Sequence, residues 1–501
     1  MFLILNFLGS SPFYYKVVNL AIDSKMLEEA QRIEDIAFAP IIYGNATFNR
    51  VQICSSPFYP GNKFVTLIND RGLIKDINNN GLNDIVFITA DSNNNGFGVV
   101  RIAYQISPGN FNCVSVGNQT RYLPYGLTLG DFNNDGKIDI ANVSAMSRTL
   151  NILINNGNGS FNDYFITNSR ITFPNHISAY GSDIYFTDEG YSLFKYNYIS
   201  NSLVRIDSIS GNSYACREGL SLADLNNDGR IDFVCSEGNY RYQGSVYYRL
   251  NLGNSWSNKY SLTISHYYHG VAVGNINNDN RPDIASCTSF GKDSSLISIR
   301  INQGGNPLSF QSVNVLLPNV RFGGCELKVA DLDCDGDNDI VWASGFKYDS
   351  TKYTDVPVPN NGLGWLENLG NNNWQVRIIE SNSGPYGIYG LDVGYVNSDK
   401  KPDIVAGIYN GSTTRLYVYY NTTNVSDNSC NPITPVEVYE NDNFNYEILG
   451  KTIKFDKIVD YSVYKIDGSL IGNGISNFVQ INQSGIYFLK IKNKVIKVLI
   501  K

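Results

Sequence analysis

The sequence is poor in the features that mark nucleic-acid-binding or membrane-spanning proteins. Only 17% of its 501 residues are charged, and 39 Lys and Arg stand against 46 Asp and Glu, which gives a formal net charge of −7. No basic cluster would track a phosphate backbone, and no apolar run is long enough to span a bilayer. We therefore expect no nucleic-acid partner and no transmembrane segment.

Motifs of common enzymes and zinc proteins are missing as well. The chain has no nucleophile elbow of a Ser-His-Asp hydrolase, no HExxH motif and no phosphate-binding glycine loop. Histidine occurs only 3 times, and the 8 cysteines show no CxxC spacing, so a zinc site is not expected. Their even number permits disulfides, with free buried thiols as the alternative.

Aromatic and turn-forming residues are abundant instead. The chain contains 35 Tyr, 25 Phe and 45 Gly, is rich in Asn, and is 43% hydrophobic. Aromatic side chains suit pleated sheets, whereas Gly and Asn tolerate the left-handed conformations of tight turns. The composition predicts a globular, mostly β protein.

The two ends of the chain differ from its body. Phe2 to Gly9 form a short apolar run that resembles the core of an export signal, although it lacks a basic start. After residue 450, nine Lys face three Asp, so a basic tail follows an acidic body. This charge distribution predicts a cation-binding domain followed by a different module.

An acidic motif recurs along the body of the chain. Its strongest copies begin at Asp131, Asp224 and Asp331 and read Asp-x-Asn/Asp-x-Asp-Gly-x-x-Asp, and looser copies begin at Asp76, Asn275 and Tyr395. The gap between the second and third copies along the chain is nearly twice the others. It contains a seventh unit around 175–186, in which Gly181 and Ser182 replace the acidic loop.

Each unit has the pattern of a four-stranded sheet. A short alternating stretch precedes the loop, an apolar stretch follows it, and a third strand ends in an Asn/Gly turn. Seven such blades in a ring form a β-propeller, which protects its sheet edges by radial repetition. We predict an all-β fold with an N-terminal segment at 1–45, a seven-bladed propeller at 46–428 and a small C-terminal β-sandwich at 429–501.

The motif and the downstream run from Asn155 to Phe161 resemble the FG-GAP and VCBS repeats of integrin α-subunit propellers and of many secreted bacterial and archaeal proteins. This resemblance covers about three quarters of the chain and implies a secreted or cell-surface calcium-binding propeller. The segment from Val463 to Lys501 resembles the C-terminal sorting domains of the type IX secretion pathway, with a plain small β-domain as the alternative.

Oxygen-rich loops of this kind predict Ca²⁺ sites. Side chains at positions 1, 3, 5 and 9, with the carbonyl at position 7, supply the all-oxygen shell that suits Ca²⁺ better than Mg²⁺. An EF-hand would need Glu at position 12 and flanking helices, but Asn142, Cys235 and Trp342 occupy that position. A turn without metal is the remaining alternative, and the repulsion of several carboxylates argues against it.

We expect binding strength to follow the number of carboxylates. The loop at Asp331 has the most and should bind most tightly, the copy at Tyr395 lacks its first ligand, and the remnant in the shortened unit should bind none. The predicted ligands, counting position 7 for its carbonyl, are Asp76, Asn78, Asn80, Leu82, Asp84, Asp131, Asn133, Asp135, Lys137, Asp139, Asp224, Asn226, Asp228, Arg230, Asp232, Asn275, Asn277, Asp279, Arg281, Asp283, Asp331, Asp333, Asp335, Asp337 and Asp339.

A second candidate site lies at the mouth of the central channel. Residues six positions before the first ligand of each repeat should form a ring there, and they include two of the three histidines. The predicted ligand-binding residues are Tyr125, His176, Arg217, Glu218, His269 and Tyr389, and all but Arg217 are also the catalytic candidates. Aromatic faces stack on sugars while polar tips orient them.

Three classes of function fit this pattern. The leading one is a secreted or cell-surface adhesion module that binds a glycan or a cell-surface protein. The second is a polysaccharide-active enzyme, in which the ring would resemble the His and Tyr residues of propeller-fold lyases. The third is a structural component of the cell envelope. A propeller fold alone does not separate them.

Overall fold

The computed structural model is all-β, and no helix occurs among the residues it describes. These are residues 36–38, 41–42, 48–54, 63–66, 72–91, 97–117, 124–188, 192–208, 216, 219–237, 244–263, 268–290, 294–318, 325–344, 347–349, 354–356, 362–381, 388–409, 414–423, 430, 446–449, 451–465, 469–481, 485–491 and 494–500. None of the described elements is a helix that could cross a membrane. The chain divides into two compact units, Met1–Val438 and Tyr439–Lys501; the predicted boundaries at 45 and 428 stay predictions.

The first unit begins with three strands that precede the first blade: β1 (Ile36–Phe38), β2 (Ile41–Ile42) and β3 (Phe48–Ile53). Blade 1 contains β4 (Lys63–Thr66), β5 (Ile74–Lys75), β6 (Asp84–Asp91), β7 (Phe97–Ser107) and β8 (Asn110–Ser115). Blade 2 contains β9 (Pro124–Gly130), β10 (Asp139–Ser144), β11 (Thr149–Asn155) and β12 (Phe161–Thr167). Blade 3 contains β13 (Pro174–Tyr180), β14 (Asp183–Asp188), β15 (Ser192–Asn197) and β16 (Ser202–Ser208).

Four further blades follow in the same order. Blade 4 contains β17 (Gly219–Ala223), β18 (Asp232–Ser236), β19 (Val246–Arg249) and β20 (Tyr260–Ser261). Blade 5 contains β21 (Tyr268–Gly274), β22 (Asp283–Phe290), β23 (Ser294–Gly304) and β24 (Ser309–Pro318). Blade 6 contains β25 (Cys325–Ala330), β26 (Asp339–Ser344), β29 (Gly362–Asn368) and β30 (Trp374–Ser381), with a separate hairpin of β27 (Lys347–Asp349) and β28 (Thr354–Val356). Blade 7 contains β31 (Ile388–Gly394), β32 (Asp403–Tyr409) and β33 (Thr414–Asn421).

These sheets form the predicted seven-bladed propeller. Within each blade successive strands pair antiparallel, and the first strands β9, β13, β17, β21, β25 and β31 contact one another in order. The first strands therefore line the central channel. Because every later strand lies further out, the turn between the first two strands is at one end of the channel and the entry to the first strand is at the other.

The ring is closed by the N-terminal part of the chain, which the repeat pattern did not predict. β3 pairs antiparallel with β33 and becomes the fourth strand of blade 7. The strands before it extend two other blades, since β1 pairs parallel with β24 of blade 5 and β2 pairs parallel with β30 of blade 6. Segments from the two ends of the propeller sequence thus share one sheet.

Packing between blades explains why the middle strands are buried along their whole length. β10 and β11 are buried at every position, whereas the outermost strand β12 alternates between exposed and partly buried residues. Middle strands have a neighbouring blade on each face, so both faces are buried. The hydrophobic clusters of the first unit accordingly span adjacent blades, as where Trp342 of blade 6 packs with Ile297 of blade 5.

All eight cysteines are paired, as the disulfide interpretation expected. Cys54–Cys113 joins β3 of blade 7 to β8 of blade 1, and Cys287–Cys325 joins blades 5 and 6. Cys216–Cys235 lies within blade 4 and its entry segment, and Cys334–Cys430 ties the acidic loop of blade 6 to the segment after the last blade. Two of the four bridges therefore connect neighbouring blades.

The described residues of the second unit form five strands: β34 (Tyr446–Leu449), β35 (Thr452–Lys465), β36 (Leu470–Gln480), β37 (Gly485–Ile491) and β38 (Lys494–Ile500). The long strand β35 pairs with β34, β36 and β37, and β37 pairs with β38. Ile453, Val463, Leu489 and neighbouring apolar residues form its core. The sandwich arrangement and the sorting role stay predictions.

Candidate calcium loops and channel mouth

The acidic loops occupy the same place in six blades. In each, the residue before position 1 pairs with the Asp at position 9, as Gly130 does with Asp139 and Ala330 with Asp339. The loop therefore always joins the first strand to the second. Left-handed backbone at positions 4 and 6 closes it, with Asn134 at φ 59° and Gly136 at φ 82° in blade 2. Gly and Asn adopt this conformation at low cost, which explains why they recur there.

The Asp at position 9 anchors each loop by hydrogen bonds to main-chain amides. The Asp139 carboxylate accepts N–H bonds from Phe132 in the loop and from Asn155 on the third strand, at 2.9 and 2.8 Å. Six blades have this buried Asp, and burial raises its pKa in each of them. The pKa is about 6 in Asp84 and Asp139, about 7 in Asp283 and Asp403, and about 8 in Asp232, and it lies well above its usual value in Asp339. A cation in the loop would favour the charged carboxylate.

The loop of blade 6 brings carboxylates together most closely. Oxygens of Asp331, Asp333 and Asp335 all lie within 4.8 Å of one another, and no other such group of three occurs in the described residues. Burial, and then the charge of Asp335, raises the pKa of Asp333 to about 7. Position 7 is Asp337, so the loop contains no cation of its own. This donor set fits Ca²⁺, which prefers several hard oxygen ligands.

Three other loops contain a built-in cation. At position 7, Lys137 pairs with Asp135 at 2.8 Å, and Arg230 and Arg281 pair in the same way with Asp228 and Asp279. The position-5 carboxylates of blades 2, 4 and 5 are therefore partly neutralised within the chain. The presence or absence of a cation at position 7 therefore distinguishes these three loops from the blade 6 loop more clearly than the number of carboxylates does.

The remaining ligand positions differ in whether their polar atoms have hydrogen-bond partners. In blade 5 the side-chain oxygen of Asn275 at position 1 is buried without a hydrogen-bond partner among the described residues. In blade 1 the amides of Asn80 and Gly81 donate to Asp76. In blade 7 the carbonyl of Tyr395 at position 1 accepts a bond from Asn83 of blade 1. The weakest predicted site thus forms part of a joint between blades.

The shortened unit lies where the sequence predicts it. Tyr180 and Asp183 of blade 3 pair across a two-residue turn of Gly181 and Ser182. Asp183 occupies position 9, and Lys195 forms an ion pair with it at 2.6 Å. A lysine ammonium therefore stands beside the only loop carboxylate of this blade.

Sequence reasoning missed an amide clamp between blades. The side-chain nitrogen of Asn302 at the end of the third strand of blade 5 donates to the carbonyl of Leu225, position 2 of the blade 4 loop, at 2.8 Å, and to that of Pro282 in its own blade at 3.1 Å. Asn155, Asn368, Asn421 and Gln105 make equivalent pairs of bonds at four more joints. The Asn that recurs at the end of the third strand, just before the Asn/Gly turn, was the sequence signal for this clamp.

Three channel-mouth residues lie at equivalent backbone positions, and His176 is shifted from them by one residue. Tyr125, His269 and Tyr389 are each the second residue of a first strand, whereas His176 is the third residue of β13, the position that Gly126 has in β9. Cys325 begins β25 and is bonded to Cys287. Arg217 and Glu218 lie outside the described residues, and so do the side chains of Tyr125, His269 and Tyr389.

His176 is the ring member whose side chain is described. It is half-buried, and its main-chain N–H donates to Thr187 at 3.0 Å. Burial lowers the pKa of the imidazole to about 4, so it is neutral at pH 7. A neutral imidazole can donate one hydrogen bond and accept another.

Two segments of the chain match a known repeat family. Residues 76–142 and 224–286 match the model of the FG-GAP-like repeat. Solved structures with a similar fold include the WD40 β-propeller domain of Doa1, at 12% identity and a TM-score of 0.42 over 74% of this chain and 97% of that chain. They also include YCF48 from Cyanidioschyzon merolae, at 8% and 0.44 over 76% and 100%, and BBS1N in complex with ARL6DN, at 10% and 0.45 over 76% and 100%. Similarity at this level supports no inference about function. No curated protein sequence matches the chain.

The protein is a seven-bladed β-propeller in which two segments match the FG-GAP-like repeat. Repeats of this kind commonly bind calcium, and such propellers commonly bind proteins or glycans. The architecture therefore suggests a binding or recognition module, and its four disulfides are consistent with an extracellular protein.

Proposed function

We propose that this protein is an exported, calcium-stabilised recognition module that binds a glycan or a cell-surface protein at the mouth of its central channel. The observation that carries the proposal is the position of the ring residues. His176 lies near the start of an innermost strand whose other end is the Gly181 turn, and Tyr125 and Asp131 stand at opposite ends of β9 in the same way.

The metal loops and the ligand site would then act separately. Strand β9 has 7 residues, and at about 3.3 Å per residue its two ends are roughly 20 Å apart. Calcium in the loops would hold the blades' first hairpins without touching the ligand. The uncharged imidazole of His176 suits recognition of a hydroxyl or amide group, since it offers both a donor and an acceptor.

The double variant His176→Ala with His269→Ala tests the ligand site. A glycan array and a panel of acidic polysaccharides are the probes, with formation of a carbon–carbon double bond as the readout for lyase activity. We expect the double variant to lose binding, or turnover if the wild type has any, while its melting transition keeps its response to a chelator.

The matched control replaces Asp331 and Asp335 in the blade 6 loop at the opposite end. These changes should lower thermal stability in calcium and leave the binding intact. Normal binding by the histidine double variant would contradict the proposed location of the site. Loss of binding in the loop variant without loss of stability would contradict it as well.

A further inference from the structure

The third strand of blade 6 has a carboxylate where the other blades have an apolar residue or a tyrosine. Glu367 precedes Asn368, whose N–H donates to Asp339 in the way that defines this strand position in the acidic-loop blades. The residues equivalent to Glu367 in the other six blades are Tyr104, Ile154, Tyr196, Leu250, Ile301 and Tyr420. Blade 6 therefore departs from the repeat on the strand that borders its acidic loop.

Glu367 is buried between two partners. It is 7% exposed, and a buried carboxylate is costly unless it is paired. On one side Arg377 of β30 donates from Nε and Nη2 to the two carboxylate oxygens, at 2.8 and 3.3 Å. On the other side its side chain forms a hydrogen bond with that of Asp333, position 3 of the acidic loop. Glu367 thus connects the loop to the fourth strand of the blade.

Two carboxyl groups in contact need a positive charge between them. An ionised carboxylate accepts hydrogen bonds but donates none, so Asp333 and Glu367 stay in contact by sharing a proton or by binding one cation. Asp331 and Asp335 add two more carboxylates within 4.8 Å of Asp333. When all are ionised, these four carboxylates and the one guanidinium sum to a formal charge of −3.

An ion pair that only stabilises the fold does not explain this arrangement. Such a pair accounts for Arg377, but it gives no reason for a second carboxylate beside Glu367. Blade 6 also departs from the repeat at position 3 itself, where it has Asp333 and the other five acidic loops have Asn78, Asn133, Asn226, Asn277 and Asn397. The two additional acidic residues of blade 6 are therefore the two that touch.

We propose that Glu367 belongs to the blade 6 cation site, where its carboxylate and that of Asp333 hold the calcium ion together. The inference rests on the calcium binding proposed above and adds to it a residue that lies outside the loop. Ligand charge is one of the factors that set calcium affinity in oxygen sites, so Glu367 makes this site tighter than the loop alone. Arg377 keeps the carboxylate in place and offsets part of its charge.

Terbium locates the site, because it replaces calcium among oxygen ligands and emits when it is excited through a nearby indole. Three of the four tryptophans, Trp342, Trp365 and Trp374, are in blade 6, and Trp365 lies two residues before Glu367 on the same face of β29. Titration of the whole protein with terbium, followed by displacement with calcium, measures the calcium affinity of this site. We expect sensitised emission from the wild type and at least about tenfold weaker calcium binding in Glu367→Gln.

Arg377→Gln is the matched control, because it breaks the same ion pair and keeps the carboxylate. This variant should bind calcium at least as tightly as the wild type, since a counter-charge is removed. Glu367→Asp retains the negative charge and should bind calcium more tightly than Glu367→Gln. The melting temperature in chelator shows whether each variant folds without the metal.

Unchanged affinity in Glu367→Gln, or an equal loss in Glu367→Gln and Arg377→Gln, would overturn this inference and leave calcium binding by the loop intact. If Glu367→Gln does not fold, a loss in Arg377→Gln as large as that in Glu367→Asp would overturn it instead. Absence of both sensitised emission and calcium binding in the wild type would overturn the calcium proposal as well.

Discussion

At the scale of single residues, the acidic loops show a division of roles. Asp at position 9 is buried and holds main-chain amides of the loop and of the third strand, as Asp339 does with Leu332 and Asn368. Positions 1, 3 and 5 face the centre of the loop. The sequence pattern predicts these positions well, because each needs one side-chain type at one spacing.

Position 7 changes the net charge of a loop. A lysine or arginine there pairs with the position-5 carboxylate, whereas Asp337 in blade 6 adds negative charge. The identity of position 7 was visible in the sequence, but its effect was not, because the side chain's direction depends on the folded turn.

The first prediction compares two position-5 carboxylates. Asp335→Ala should cost more calcium affinity than Asp279→Ala, because the loop of blade 6 has no internal cation whereas Arg281 already neutralises Asp279. Calorimetric titration of both variants with calcium measures the difference. An equal or larger loss in Asp279→Ala would show that loop rigidity outweighs charge.

At the scale of elements, the amide clamp explains how blades are held in register. The side chain of Asn302 bridges two main-chain carbonyls of different blades; the bond to Leu225 is buried, and the bond to Pro282 is partly buried. Sequence analysis recognised the Asn/Gly turn that follows but not the bridge. A contact between residues 77 positions apart in the chain depends on how one blade packs on the next, which local patterning does not specify.

The second prediction follows from the clamp. Asn302→Ala removes one buried and one partly buried hydrogen bond and leaves the carbonyl of Leu225 unsatisfied, so it should lower the free energy of unfolding by about 2 to 3 kcal/mol. Asn251→Ala is the matched control, since Asn251 holds the same strand position without an inter-blade bond, and it should cost less than about 1 kcal/mol. Chemical denaturation measures both, and equal costs would contradict the assigned role.

At the scale of the whole molecule, closure of the ring is the step that the repeats do not reveal. The repeats predicted seven units correctly, including the one whose loop is deleted. They did not predict that β3 completes blade 7 or which cysteines pair, because both depend on segments that are distant in sequence meeting at one joint.

The third prediction concerns this joint. The bridge from Cys54 to Cys113 spans a sequence separation of 59 and connects blades 7 and 1, whereas Cys216–Cys235 spans 19 within blade 4 and its entry segment. Loop-closure entropy predicts that replacing the first pair by Ala costs about 4 kcal/mol and replacing the second about 3 kcal/mol. Denaturant unfolding under oxidising conditions measures both costs. A larger loss of stability on replacing Cys216 and Cys235 would contradict the view that the bridge which closes the ring is the more important constraint.

The central claim, that calcium stabilises the propeller chiefly through blade 6, is tested most directly by thermal unfolding in millimolar calcium and in chelator. Calcium at 100 times its dissociation constant adds about 2.7 kcal/mol per site to the free energy of unfolding. The account predicts a higher melting temperature of the wild type in calcium, and a much smaller response in the variant Asp331→Asn with Asp335→Asn. An identical melting temperature of the wild type in calcium and in chelator would contradict it.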